Sequence, residues 1–91
     1  MMAATEVTVE LFGVPRARAG RAELTICAGT AGEALAALAE ACPGLGELRR
    51  PDGRLAPQYL LSVDGERFVT DLAEPLRPGV HLLLLSADAG G

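Results

Sequence analysis

The chain has 91 residues, 49% of them hydrophobic and 22% charged, which suffices for one domain with its own core and no metal or disulfide staple. Its formal net charge of −4 argues against nucleic acid as a partner and promises no basic patch for a membrane surface. Aromatic residues are confined to Phe12, Tyr59 and Phe68, so the core must be built from Val, Leu, Ile and Ala.

All eight basic residues are arginine, so no side-chain amine is present through which the chain could be joined to a second copy. Cys27 and Cys42 have neither metal-site nor CxxC spacing and read as small apolar residues. No metal site is expected. Residues 1–6 lack the basic and apolar segments of a signal peptide, and Leu82–Leu85 is far too short to span a bilayer, so a cytoplasmic location is expected.

In chain order, Glu6–Phe12 alternates with period two and predicts a half-buried strand with Val7, Val9 and Leu11 inward. Phe12 then falls on the polar face. Gly13–Gly20 carries glycine, proline and arginine and reads as a loop. Ala22–Cys27 alternates again, with Ala22, Leu24 and Ile26 inward, completing a hairpin. Thr30 and Glu33 form a capping box, followed by Leu35, Leu38, Ala39 and Cys42 at helical spacing. The helix should run about eleven residues and stop at Pro43-Gly44. Residues 44–57 read as a connecting loop anchored by Leu45 and Leu48. Tyr59–Val63, the turn signal Asp64-Gly65 and Arg67–Val69 predict a second hairpin. Residues 71–76 should drop Leu72 and Leu76 onto the core, and Pro78-Gly79 turns the chain into a last apolar strand.

The order ββαβββ predicts an α+β domain, a mixed sheet of four to five strands packed on one main helix. The expected division is a folded body over 1–86 and a flexible tail over 87–91. After Leu85 no residue is larger than Asp, and the chain ends in Gly90-Gly91. Six extended residues span roughly 20 Å, long enough for a slender arm to enter another protein's active site.

The pattern Val9-Glu10-Leu11-Phe12-Gly13 with Arg18-Ala19-Gly20 is one piece of a family likeness. The Thr30/Glu33 helix with Cys42-Pro43-Gly44-Leu45, then Val63-Asp64-Gly65-Glu66, Leu76, Pro78-Gly79 and terminal Ala89-Gly90-Gly91, supply the rest. In this order they resemble the MoaD/ThiS-type ubiquitin-like sulfur carriers, the group that includes the molybdopterin synthase small subunit. The resemblance runs from about residue 6 to the end and implies a β-grasp fold.

It also implies a chemistry in which the protein is a co-substrate and not an enzyme. An adenylating, ubiquitin-activating-like enzyme would use ATP to activate the Gly91 carboxylate, with Gly90 as its slender approach. A sulfur donor would convert it to a thiocarboxylate, and a downstream synthase or other sulfur-accepting enzyme would take the sulfur. No cofactor is expected to stay bound. If Val80, Leu82 and Leu84 face the helix, His81, Leu83 and Leu85 face the open side with Phe12 and Leu60, rimmed by Thr8, Glu10 and Arg67. In the family such an apolar patch meets partners, which makes Phe12, Leu60, Arg67, His81, Leu83, Leu85, Asp88 and Ala89 the candidate partner-binding residues. Arg67, Ser86 and Asp88 depart from the family's usual apolar residue, proline and aliphatic residue, and leave the pathway open between molybdopterin, thiamin, cysteine and secondary-metabolite routes. Two alternatives use the same body: a protein modifier joined through Gly91 to target lysines, and an interaction module with an inert tail. His81 has no partner at a spacing that suggests catalysis and reads as a surface or interface residue.

Overall fold

A computed structural model describes residues 5–87. Strand β1 (Thr5–Leu11) is followed by helix α1 (Gly13–Ala19), strand β2 (Glu23–Ala28) and helix α2 (Ala31–Ala41). A 3-10 turn (Pro43–Leu45) then leads to β3 (Tyr59–Val63), β4 (Arg67–Phe68) and β5 (His81–Ser86). The sheet order is β2-β1-β5-β3-β4, with β5 parallel to β1 and antiparallel to β3. The last strand is therefore the middle of the sheet.

Alternation along each strand fixes which side is buried. Val7, Val9 and Leu11 of β1, Leu24, Ile26 and Ala28 of β2, Leu82 and Leu84 of β5, and Tyr59, Leu61 and Val63 of β3 all point to one side and are buried. Helix α2 closes that side with Ala31, Ala34, Leu35 and Leu38. Its eleven residues match the length that the capping signal and Pro43-Gly44 imply. Thr30 Oγ1 accepts from the Glu33 amide at 3.1 Å, while Glu33 Oε1 accepts from Gly29 at 2.7 Å, so the box closes one residue earlier than its usual form. Leu45 and Leu48 are buried anchors of the following segment.

The structure corrects the reading of the first connection and of the strand after it. Ala22 is exposed; β2 begins at Glu23 and takes Ala28 as its third inward residue. Residues 13–19 form a helix and not a loop. Pro15 lies in its first turn, where a missing N–H costs nothing, and its ring is buried. Gly20 ends it with φ +76°, donating its amide to the Arg16 carbonyl. Glycine and proline here mark the two ends of a helix.

Helix α1 is fastened to the 3-10 turn. A Cβ on Gly44 would collide with the Arg18 carbonyl oxygen, so the two backbones meet where only glycine fits. Tyr59, 2% exposed, donates its hydroxyl to the Leu45 carbonyl at 2.8 Å and accepts from Arg18 Nη1 at 3.2 Å. Tyr59 also stands opposite Ser86 in the β3–β5 ladder, so this knot lies where β5 ends.

Candidate functional site: the open sheet face and the end of β5

The side of the sheet away from α2 has no layer upon it among the described residues. Register brings its side chains into rows, because cross-strand partners point to the same face. Thr8 pairs with His81, and Glu10 with Leu83, which in turn pairs with Ser62 and through it Phe68. Leu85 pairs with Leu60. Phe12 continues β1 past Leu11 in an extended conformation, its amide bonded to the Leu84 carbonyl at 3.1 Å, which sets its side chain on the same face. Phe12, Leu60, His81, Leu83 and Leu85 are all partly exposed, as the alternation of β5 demands. Phe12, Leu60, Leu83 and Leu85 form one apolar stripe that runs along β5 to its end, with His81 at its polar start.

Arg67 is the exception. A two-residue turn at Asp64-Gly65 would pair Ser62 with Arg67 and put the guanidinium on the open face. Both turn residues do have positive φ, 55° and 71°. The connection nevertheless holds three residues, and Val63 pairs with Arg67 while Ser62 pairs with Phe68. A shift of one residue reverses every side chain. Arg67 therefore sits on the opposite side of β4, where Nη1 donates to Glu74 Oε1 at 3.0 Å and Nη2 donates to Oε2. That bidentate bond, reinforced by the arginine charge, holds the Glu74 carboxyl below its usual range and raises the Arg67 guanidinium.

In its place the open face gains Phe68, 56% exposed and absent from the sequence-based candidates. The signal that would have found it is the loop length, which Asp64-Gly65 alone does not fix. A second unforeseen feature is the pairing of His81 Nε2 with Glu10 Oε1 at 3.0 Å, across 71 residues of sequence. The His81 amide also donates to Asp64 Oδ1 at 3.0 Å. These contacts fix the polar rim at the start of β5.

At its other end β5 carries the chain off the sheet. The Ala87 amide still donates to the Gln58 carbonyl at 2.8 Å, so ladder-like bonding reaches the first residue of the expected tail. Asp88, Ala89, Gly90 and Gly91 lie outside the described residues. Among the described residues no helix is long and apolar enough to cross a membrane, and no cluster of His, Cys, Asp or Glu could hold a metal ion.

A mixed sheet with its final strand in the centre, one helix laid across one face and an apolar stripe along β5 on the other define a ubiquitin-like β-grasp protein. Solved structures agree. The chain is similar to the crystal structure of SAMP1 from Haloferax volcanii, with 28% identity over 94% of this chain and 99% of that one and a TM-score of 0.79. It is also similar to the solution structure of small archaeal modifier protein 1 from Methanosarcina acetivorans, at 22% identity, covering 97% and 98% of the two chains, with TM-score 0.79. A third similar structure, a putative molybdopterin converting factor subunit 1 from Pyrococcus furiosus, has 19% identity, covers 90% and 97%, and has TM-score 0.72. These neighbours agree with the MoaD/ThiS-type ubiquitin-like resemblance carried by the sequence. No protein-family model and no curated protein matches the chain.

Proposed function

We propose that this protein is a sulfur carrier whose Gly91 carboxylate is activated by an adenylating enzyme and converted to a thiocarboxylate. A free carboxylate is a poor electrophile. Attack of its oxygen on the α-phosphate of ATP, with loss of pyrophosphate, gives an acyl adenylate with a good leaving group. A sulfur nucleophile then attacks the carbonyl carbon, AMP departs, and the thiocarboxylate remains for delivery to a synthase or other sulfur-accepting enzyme. The protein supplies recognition and reach, while the partners supply acid–base chemistry and ATP.

The observation that carries this reading is the course of β5. Its open-face side chains, Leu83 and Leu85 with Phe12, Leu60 and Phe68 beside them, form an apolar surface continuous with the strand's exit toward Gly90-Gly91. A partner that docks on that surface has the chain end within reach of its own active site. His81, at the start of β5, and Asp88 and Ala89, which precede Gly90-Gly91 in sequence, belong to the same proposed contact. Arg67, on the other side of β4, does not.

A second reading is favoured by the likeness to SAMP1 at 28% identity. In it the adenylated Gly91 is passed to lysine amines of target proteins. Intact mass separates the two. The full chain is incubated with ATP, its adenylating enzyme and sulfide. A carrier gains the mass difference between sulfur and oxygen, and a modifier gives isopeptide adducts on other chains. Deleting Gly91 abolishes either product and leaves the melting curve unchanged. Sulfur transfer that survives the deletion would defeat both readings in favour of an inert tail.

A further inference from the structure

The net charge of −4 conceals a separation that only the fold makes visible. Two segments lie at the end of the sheet where β5 stops. Residues 13–22 follow Phe12, beside Leu84, and return to the sheet through the bond from the Leu11 amide to the Ala22 carbonyl. Residues 43–58 run past α1 at Gly44 and finish with Gln58 bonded to Ala87. Together they carry Arg16, Arg18, Arg21, Arg49, Arg50 and Arg54, all exposed. Within these two segments only Glu47 and Asp52 oppose them, a formal +4 for the segments, while Glu10, Glu23 and Glu40 stand on the neighbouring ends of β1, β2 and α2. The other end holds Glu6, Glu33, Asp64, Glu66, Asp71 and Glu74 against Arg67 and Arg77, a formal −4. Both of those arginines are already engaged, with Glu74 and Asp64 respectively. At the arginine end Arg50 meets Asp52 at 3.4 Å and Arg18 meets the Tyr59 hydroxyl.

We infer that the arginine-rich end around the exit of β5 is a second recognition surface, which fits an acidic protein surface surrounding the channel that receives the chain end. This rests on the reading above that a partner takes up that end. A molecule with opposite charges at its poles is turned by the partner's field before contact, which raises the rate of productive encounter. The arginine-bearing segments, facing acidic residues, turn the exit of β5 toward the channel, and the −4 end is repelled. The partner is a protein and not a nucleic acid, because Glu10 and Glu23 stand beside each other on the sheet next to the positive end. A long uniform polyanion would have to pass over them, whereas a local acidic rim need not.

The experiment measures kcat/KM for adenylation of the full-length chain by its activating enzyme as a function of sodium chloride. Arg16→Glu and Arg49→Glu change the positive end, and Arg77→Glu makes the same charge change at the far end. Thermal melts confirm that each variant is folded. The expected result is a kcat/KM that falls with salt, drops roughly tenfold in the Arg16→Glu/Arg49→Glu double variant at low salt, and converges with wild type at high salt. The change should reside in KM, and Arg77→Glu should stay within about twofold of wild type, or rise, as electrostatic steering requires. An equal loss in Arg77→Glu, or no salt dependence, overturns the inference while leaving adenylation itself intact.

A second arm needs no enzyme. Polyglutamate added to the isotope-labelled full chain should shift amide resonances of 13–22 and 43–58 and spare 64–80. This result would uphold the surface even if no adenylation were found, in which case the function proposed above is what fails. Shifts spread over both ends, no shifts at all, or an equal response to a DNA duplex would overturn the assignment to an acidic protein.

Discussion

Neighbouring residues of β5 should separate stability from partner binding. Leu84 is fully buried between β1 and β3, whereas Leu83 and Leu85 are partly exposed on the open face. Replacing a buried leucine by alanine costs about 2–5 kcal/mol, through lost transfer energy and the cavity left behind. A domain of this size has a total stability of roughly 5–14 kcal/mol. At roughly 4–8 °C per kcal/mol, Leu84→Ala should lower the midpoint of thermal unfolding by on the order of 8–40 °C. Leu83→Ala and Leu85→Ala remove partly hydrated surface and should cost about 1 kcal/mol each. Their larger effect should be on the partner: an apolar anchor lost from an interface is worth about 1–2 kcal/mol or more, a five- to thirtyfold rise in KM for adenylation. Circular dichroism melts and steady-state adenylation assays measure the two quantities on the same samples. If Leu85→Ala melts as low as Leu84→Ala, or if both open-face variants are activated as well as wild type, the division of β5 into a core side and a docking side is wrong.

Three further outcomes follow from particular contacts. Gly44→Ala should destabilise the fold by about 1–3 kcal/mol in urea unfolding, because its new methyl meets backbone of α1 and no side chain can yield. Tyr59→Phe should cost about 1–3 kcal/mol, since it strips the Leu45 carbonyl of a buried donor, with the urea m-value unchanged. Glu74→Gln should lower stability slightly at neutral pH. The hydrogen bond from Arg67 depresses the Glu74 carboxyl, so its stabilising effect is present above the usual carboxylate value and fades as pH falls through the lower folded one. The wild-type and Glu74→Gln unfolding curves should therefore draw together as pH falls below the usual carboxylate value and through the lower folded one, and a difference that does not shrink on acidification would refute the assignment.

Much of this arrangement is legible in the residues alone. Period-two alternation placed the faces of β1, the greater part of β2, and β5, and the Thr30/Glu33 box with Pro43-Gly44 bracketed α2. What stayed hidden has specific causes. Helix α1 is short, and its Gly and Pro are also loop residues, so local chemistry admits both readings until Pro15 is seen packed and Gly44 is seen under Arg18. The face of β4 depends on one residue of loop length, and Asp64-Gly65 serves both lengths. The Glu10–His81 pair and the two charged poles arise from segments far apart in sequence, and no spacing rule links them.

The position of β5 has a consequence for synthesis. Residues 81–86 are the wedge between β1 and β3, so a chain that stops short of them leaves those strands with nothing to pair across. Folding must wait until residues 81–86 have left the ribosome, and the long separation between β1 and β5 makes closure slow. A product cut short before β5 is thereby left for proteolysis and cannot persist as a well-folded fragment.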